Sequence, residues 1–230
     1  MTVEMNNEMG ATKPPLKLDA RLLLAAGRAV HKLFGLNPVD ITDWDRYALF
    51  EYARRAEFLR NFPGGIDLRG KRVLNLGCGP GGETAGFAQD GAAAVFGIDI
   101  EGSRLKAAAR FAAKTVPGGP IMFARGDGNR LPFRDGTFDI VTMRDVMEHL
   151  ERPLDALLEA RRVLAPGGRI HLSFGPLWYS PWGGHMFTFI YIPWLHLLAP
   201  QRTVLGARSF FRSDGARTYE QAGVFKMTVG

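Results

Sequence analysis

A chain of 230 residues is long enough for one α/β domain with a sizeable core and some decoration. Hydrophobic residues at 46% and charged residues at 23% exclude a disordered chain. The formal net charge of +6 is spread along the sequence, not clustered among aromatics, which argues against nucleic acid as a partner and leaves an anionic substrate or a membrane surface open.

Cys78 is the single cysteine, so no intrachain disulfide and no cysteine metal site can form, which fits a cytoplasmic setting. No secretory signal stands out, because the first apolar stretch is broken by Arg21 and Arg28. The longest apolar run, 186–199, falls short of the ~20 residues of a spanning helix and contains Pro193 and His196, so no transmembrane span is expected.

In chain order, residues 1–17 are polar around Pro14-Pro15 and read as a disordered arm. Residues 18–65 read as an N-terminal cap of two helices. Asp19 caps the first, which runs to Phe34 with Leu22, Ala26, Ala29 and Leu33 on its inner face. The second follows Thr42 or Asp43, carries Ala48, Tyr52, Ala56 and Leu59 at helical spacing, and stops at Pro63-Gly64-Gly65.

Across 66–175 short apolar runs alternate with amphipathic stretches, the pattern of a parallel sheet with crossover helices. Strands are predicted at Arg72–Leu76, Ala94–Asp99, Ile121–Arg125, Phe138–Met143 and Arg169–Phe174. Helices are predicted at Glu83–Gln89, Ser103–Thr115 and Leu154–Leu164, the last with Pro153 at its start and Pro166-Gly167-Gly168 beyond its end. The fold class is α/β: a Rossmann-like, doubly wound, mostly parallel sheet with helices on both faces. Residues 176–230 are rich in Pro, Trp and Gly and show no clear period.

The segment Leu76-Gly77-Cys78-Gly79-Pro80-Gly81-Gly82-Glu83 is a strand end, a glycine turn and a helix start. Three ligand classes use such a turn. A phosphate loop needs Lys after its last glycine, where this chain has Glu83. A dinucleotide pyrophosphate would meet the same carboxylate, whereas a sulfonium cofactor carries no phosphate. Asp99, ending the second strand, is placed to accept two ribose hydroxyls, or else to cap the next helix. Asp127, in Gly126-Asp127-Gly128, suits the exocyclic amine of adenine or serves as a turn former, with Leu131, Pro132 and Phe133 offering an apolar surface beside it.

The ordered set Leu-Gly-Cys-Gly-Pro-Gly, Gly-Ile-Asp, Gly-Asp-Gly, Leu-Pro-Phe-x-x-x-x-Phe-Asp and Leu-x-Pro-Gly-Gly resembles class I S-adenosylmethionine-dependent methyltransferases, and more narrowly their type 11, ubiquinone-pathway-like group. The resemblance covers Val73 to Phe174. It implies that Gly77, Gly79 and Gly81 bracket the methionine moiety, Asp99 the ribose and Asp127 the adenine amine, and that the segment at Arg144 closes the pocket. The implied S-adenosyl-L-methionine set is Gly77, Cys78, Gly79, Gly81, Asp99, Ile100, Asp127, Gly128 and Arg144.

Methyl transfer is an in-line displacement, so the protein mainly aligns donor and acceptor and excludes water. His149, after the fourth strand, is the candidate base, or else a histidine that packs near the pocket. Asp145, Glu148 and His149 resemble a metal-holding Glu-x-x-Glu-His set, but the leading Asp departs from it and no metal is expected. Trp178, Tyr179, Trp182, Phe187, Tyr191 and Trp194 read as a lid over a small, apolar acceptor, as a segment packed on its own core, or as a peripheral membrane contact through 178–199. The resemblance implies a further C-terminal hairpin in the sheet, and its absence here is expected to reflect either a truncated chain or a sheet that ends at five strands. A five-strand sheet with an open edge predicts either reduced stability or dimerisation as a homodimer, and a truncated, inactive relic is one alternative to an enzyme. A nicotinamide oxidoreductase is the other, against which no Tyr is followed four residues later by Lys.

Overall fold

The computed structural model describes residues 17–33, 43–185, 190–212 and 214–228. The expected arm lies outside these residues, apart from Lys17.

Five parallel strands, β1 (Arg72–Leu76), β2 (Ala94–Asp99), β3 (Ile121–Arg125), β4 (Phe138–Arg144) and β5 (Leu164–Ser173), form one sheet in the order β3-β2-β1-β4-β5. Apolar side chains occupy both faces of the central strands: Val73, Leu74 and Leu76 of β1 are at most 2% exposed, and Val141 and Met143 of β4 are fully buried. A strand covered on both faces reads as a continuous apolar run, and for that reason β1 and β2 have the limits expected from sequence; β3, a more exposed edge strand, has its expected limits as well. The crossover helices are α3 (Gly82–Gln89), α4 (Gly102–Thr115) and α5 (Pro153–Val163).

β5 starts five residues before the expected Arg169. Leu164 pairs with Phe138 and Arg169 with Ile140, so the Pro166-Gly167-Gly168 turn is taken up as an irregularity inside the strand. β5 is the end strand of the sheet among the described residues.

The two N-terminal helices have different partners. α2 (Trp44–Arg60) is capped by Asp43, whose side chain accepts from the amides of Asp45 and Arg46, both at 3.1 Å. It packs on α3 so closely that a Cβ on Gly82 would lie 2.0 Å from the Ala48 carbonyl oxygen. α1 (Leu18–Leu33) instead packs on α7 (Gln201–Arg208), with α6 (Leu195–Leu198) just before it.

The expected inner face of α1 is corrected by the structure. Ala20, Leu24 and Gly27 are buried, while Leu22 is 63% and Leu33 is 77% exposed. Asp19 lies inside the first turn, not before it, and its carboxylate accepts from the Thr203 hydroxyl of α7. Helix α7 has no counterpart in the sequence reading. It is short and holds Gly206 in its interior, next to Ala20 of α1, so packing, not propensity, sustains it.

Candidate functional site

The sheet reverses its winding between β1 and β4, and at such a switch point open α/β sheets carry their ligand crevice, at the carboxyl ends of the strands. The bend after β1 lines it. Gly77 (φ +73), Gly79 (φ +51) and Gly81 (φ +82) adopt the left-handed conformation that disfavours side chains. A Cβ on Gly77 would also meet Val146 Cγ2 at 2.4 Å, because the loop after β4 packs against the bend.

Asp99 is 5% exposed and ties the end of β2 to this bend. Its Oδ2 accepts from the Gly79 amide at 2.9 Å and its Oδ1 from the Glu101 amide at 2.8 Å. Each oxygen keeps a second lone pair for another donor. Ile100, the next residue, is 63% exposed and presents an apolar face at the same strand end. Asp127 is exposed and closes its own turn, with Oδ1 accepting from the Asn129 amide at 2.9 Å and the Asn129 side chain at 3.1 Å. The Gly126 amide donates to the Asp99 carbonyl, so the Asp99 and Asp127 loops lie side by side. Cys78 is buried beneath the bend, and burial raises its thiol well above the usual range, assisted by Asp99.

Two carboxylates sit at the N-terminus of α3. Glu83 is 6% exposed and ion-paired to Arg144 at the end of β4. Arg144 thus faces the underside of the glycine turn, and the Glu83 charge is compensated there. The second, Glu51 of α2, was not singled out from sequence: its Oε2 accepts from the Gly82 amide at 3.3 Å. Burial raises the Glu51 carboxyl well above its usual range, and Glu83 raises it further. A helix N-terminus attracts anions, and here a side chain of the chain itself takes that place. The exclusion of phosphate drawn from Glu83 alone therefore rests on Glu51 as well. The only sequence signal for Glu51 is a carboxylate on the helix row that also carries Ala48, Tyr52 and Arg55.

Beyond β4, a 3-10 turn at Met147–His149 leads to a pair of histidines. His149 and His185 stand edge to face with ring centroids 5.0 Å apart. The Gly223 carbonyl accepts from His149 Nδ1 at 2.5 Å, which leaves Nε2 unprotonated. His185 has φ +54, is bonded to the Pro176 carbonyl, and is pushed down to about 4 by burial and by His149. Among the described residues no group of three or more His, Cys, Asp or Glu is arranged to hold a metal.

The aromatic segment divides. Trp178 is 6% exposed and packs with α1, α7 and Tyr219, while the Trp182 and Tyr191 rings lie 4.3 Å apart. Tyr179 is 68% and Trp194 is 45% exposed. Phe187 lies outside the described residues.

Sheet order, glycine bend and strand-end carboxylate all fall in the part of the chain that is similar to a methyltransferase domain. Residues 74–172 match the family model described as a methyltransferase domain. An uncharacterized methyltransferase of Mycobacterium marinum is 36% identical over 121 residues, covering 53% of this chain and 45% of that protein. One from Mycobacterium tuberculosis is 35% identical over 116 residues, covering 50% and 43%. The chain thus spans somewhat under half the length of the curated relatives it matches. Among solved structures, the YcgJ protein from Bacillus subtilis is 27% identical with a TM-score of 0.46, covering 57% of this chain and 51% of that one.

Proposed function

We propose that this chain binds S-adenosylmethionine in the crevice between the loops of β1 and β4 and transfers its methyl group to a small, apolar acceptor. The observation that carries the reading is the coupling of Asp99 to the glycine bend through the Gly79 amide, at the point where the sheet reverses.

The residues present fit that cofactor. Gly77 leaves the bend without a side chain, Asp99 retains lone pairs for two ribose hydroxyls, exposed Ile100 offers a face to the adenine ring, and Asp127 borders its exocyclic amine. Cys78 and Gly128 complete the wall, with Gly128 lying against Leu76. Glu51 at the Gly82 amide discourages a pyrophosphate, which favours a sulfonium over a dinucleotide.

S-adenosylmethionine supplies an electrophilic methyl group on a sulfonium. The residues of this chain orient it, exclude water, and receive the proton of a hydroxyl or amine acceptor. His149 is the residue for that proton: its Nδ1–H is committed to Gly223 and its Nε2 is free. As the acceptor–methyl bond forms and the methyl–sulfur bond breaks, the acceptor's proton passes to Nε2.

Titration calorimetry with S-adenosylmethionine, S-adenosylhomocysteine and NAD tests the reading. Saturable binding of the first two at micromolar level, lost in Asp99→Ala, is expected. Binding of NAD in preference to both overturns it.

A further inference from the structure

One apolar stripe of α1 faces outward. At about 100° per residue, Leu18, Leu22, Ala25, Ala29 and Leu33 line one side of this 16-residue helix, opposite the buried Ala20, Leu24 and Gly27. Leu18 is 71% exposed, Leu22 63% and Leu33 77%, so an apolar strip about 24 Å long lies open. Such strips on a folded surface mark interaction sites.

The charge beside the strip selects the partner. Arg21, Arg28 and Lys32 form a ridge along one flank, and Lys17 stands at its start, all of them exposed. The helix has one acid, Asp19, and its carboxylate is engaged by Thr203. That bond sets the first turn of α1 against the first turn of α7. Immediately before α7, in and beside α6, Leu198 is 75% and Trp194 45% exposed. Open leucines, an exposed Trp and a row of cations that form no ion pair among the described residues match the boundary between acyl chains and anionic headgroups.

We propose that α1, with the α6 end beside it, docks the protein on the surface of an anionic lipid bilayer, leaving the catalytic crevice free. The strip lies at the interfacial depth of the bilayer without crossing it, since no described helix is long and apolar enough to span a membrane. The docking is independent of the donor site, so a failure of either reading leaves the other standing.

Co-sedimentation of the full chain with phosphatidylcholine vesicles, with and without phosphatidylglycerol, is the test. Sedimentation with the mixed vesicles alone is expected, with at least a tenfold drop in partitioning at about half-molar salt, where charge screening acts within a few ångströms. Leu22→Glu and, separately, Arg21→Glu lower partitioning tenfold or more while leaving S-adenosylmethionine affinity and the unfolding midpoint unchanged. Should Leu22→Glu fail to fold, Leu18→Ser reads the same face. Absence of binding, equal binding to neutral vesicles, or full binding by the folded variants overturns the proposal. So does a dimer in sedimentation velocity that Leu22→Glu dissolves, because the strip then faces a second copy.

Discussion

Glu51 of α2 accepts a hydrogen bond from the Gly82 amide at the start of α3, across 31 residues of sequence. That contact places a carboxyl of the N-terminal region at the one helix end that a phosphate ligand of this fold would occupy. Glu51→Gln keeps the shape and removes a carboxyl whose ionisation burial and Glu83 push well above the usual range, so the comparison is made toward alkaline pH, where the carboxyl carries its charge. Phosphate or NAD affinity is expected to rise in Glu51→Gln while S-adenosylmethionine affinity changes less than threefold, as read by calorimetry. An unchanged anion affinity would sink the assignment.

Removing Arg144 strands a buried charge. With side-chain exposures of 16% and 7%, Arg144 and Glu83 have little water to fall back on. Arg144→Met is expected to lower unfolding stability by about 3 kcal/mol or more. Adding Glu83→Gln to that variant recovers most of the loss, because the carboxylate that needed a partner is gone. Urea unfolding of the wild type, both single variants and the double variant gives the coupling.

Glu148 supplies a pH dependence. It is 2% exposed, Oε1 accepts from the Gly175 amide at 3.2 Å, and Oε2 is without a partner. Burial raises its carboxyl to about 7, with Asp145 adding to the effect. A group whose folded pKa is raised stabilises below its unfolded pKa, and that stability is lost as pH climbs to the folded value. The window runs from about 4.5 to about 7. Glu148→Gln is therefore expected to match the wild type at acid pH and to exceed it by up to about 3 kcal/mol above neutrality, read by urea unfolding across that range.

Gly77→Ala is expected to destabilise the fold by about 1–3 kcal/mol, since its Cβ would lie 2.4 Å from Val146 Cγ2 at a φ of +73°. Combining it with Val146→Ala relieves the clash and leaves the backbone strain. Thermal unfolding separates the two contributions: a double variant more stable than the sum of the singles predicts would support the clash, and simple additivity would refute it.

Replacing Asp99 by Ala is expected to weaken S-adenosylmethionine binding tenfold or more, because charge-assisted bonds to two hydroxyls contribute ~1.5–3 kcal/mol each. Asp99→Asn falls between, keeping one acceptor for the Gly79 amide that donates to Oδ2. Calorimetry of both variants checks the order.

The sheet was legible because each piece of it is local. A strand buried on both faces announces itself as an apolar run, and the bend after β1 as a cluster of glycines at positive φ. Asp99 and Asp127 could be named from their places at strand ends, though not the Asn129 turn that engages Asp127 or the two amides that engage Asp99. β5 gained residues at its start because pairing with β4, a long-range event, decides where an edge strand begins.

Periodicity by itself determined that α1 is a helix, and it left two apolar sides to choose between. Ile190 made the choice. Gly27 meets it so closely that a Cβ would lie 2.8 Å from Ile190 Cγ2, and the side carrying Leu22 and Leu33 was left to solvent. In the same way, amino-acid order determined the glycine bend and its acidic neighbour at Asp99, while only the folded chain could bring Glu51 to Gly82 and His185 to His149. Patterns within a strand or helix are set by backbone sterics and repeat in sequence; partners separated by tens of residues are chosen by packing, which leaves no local trace.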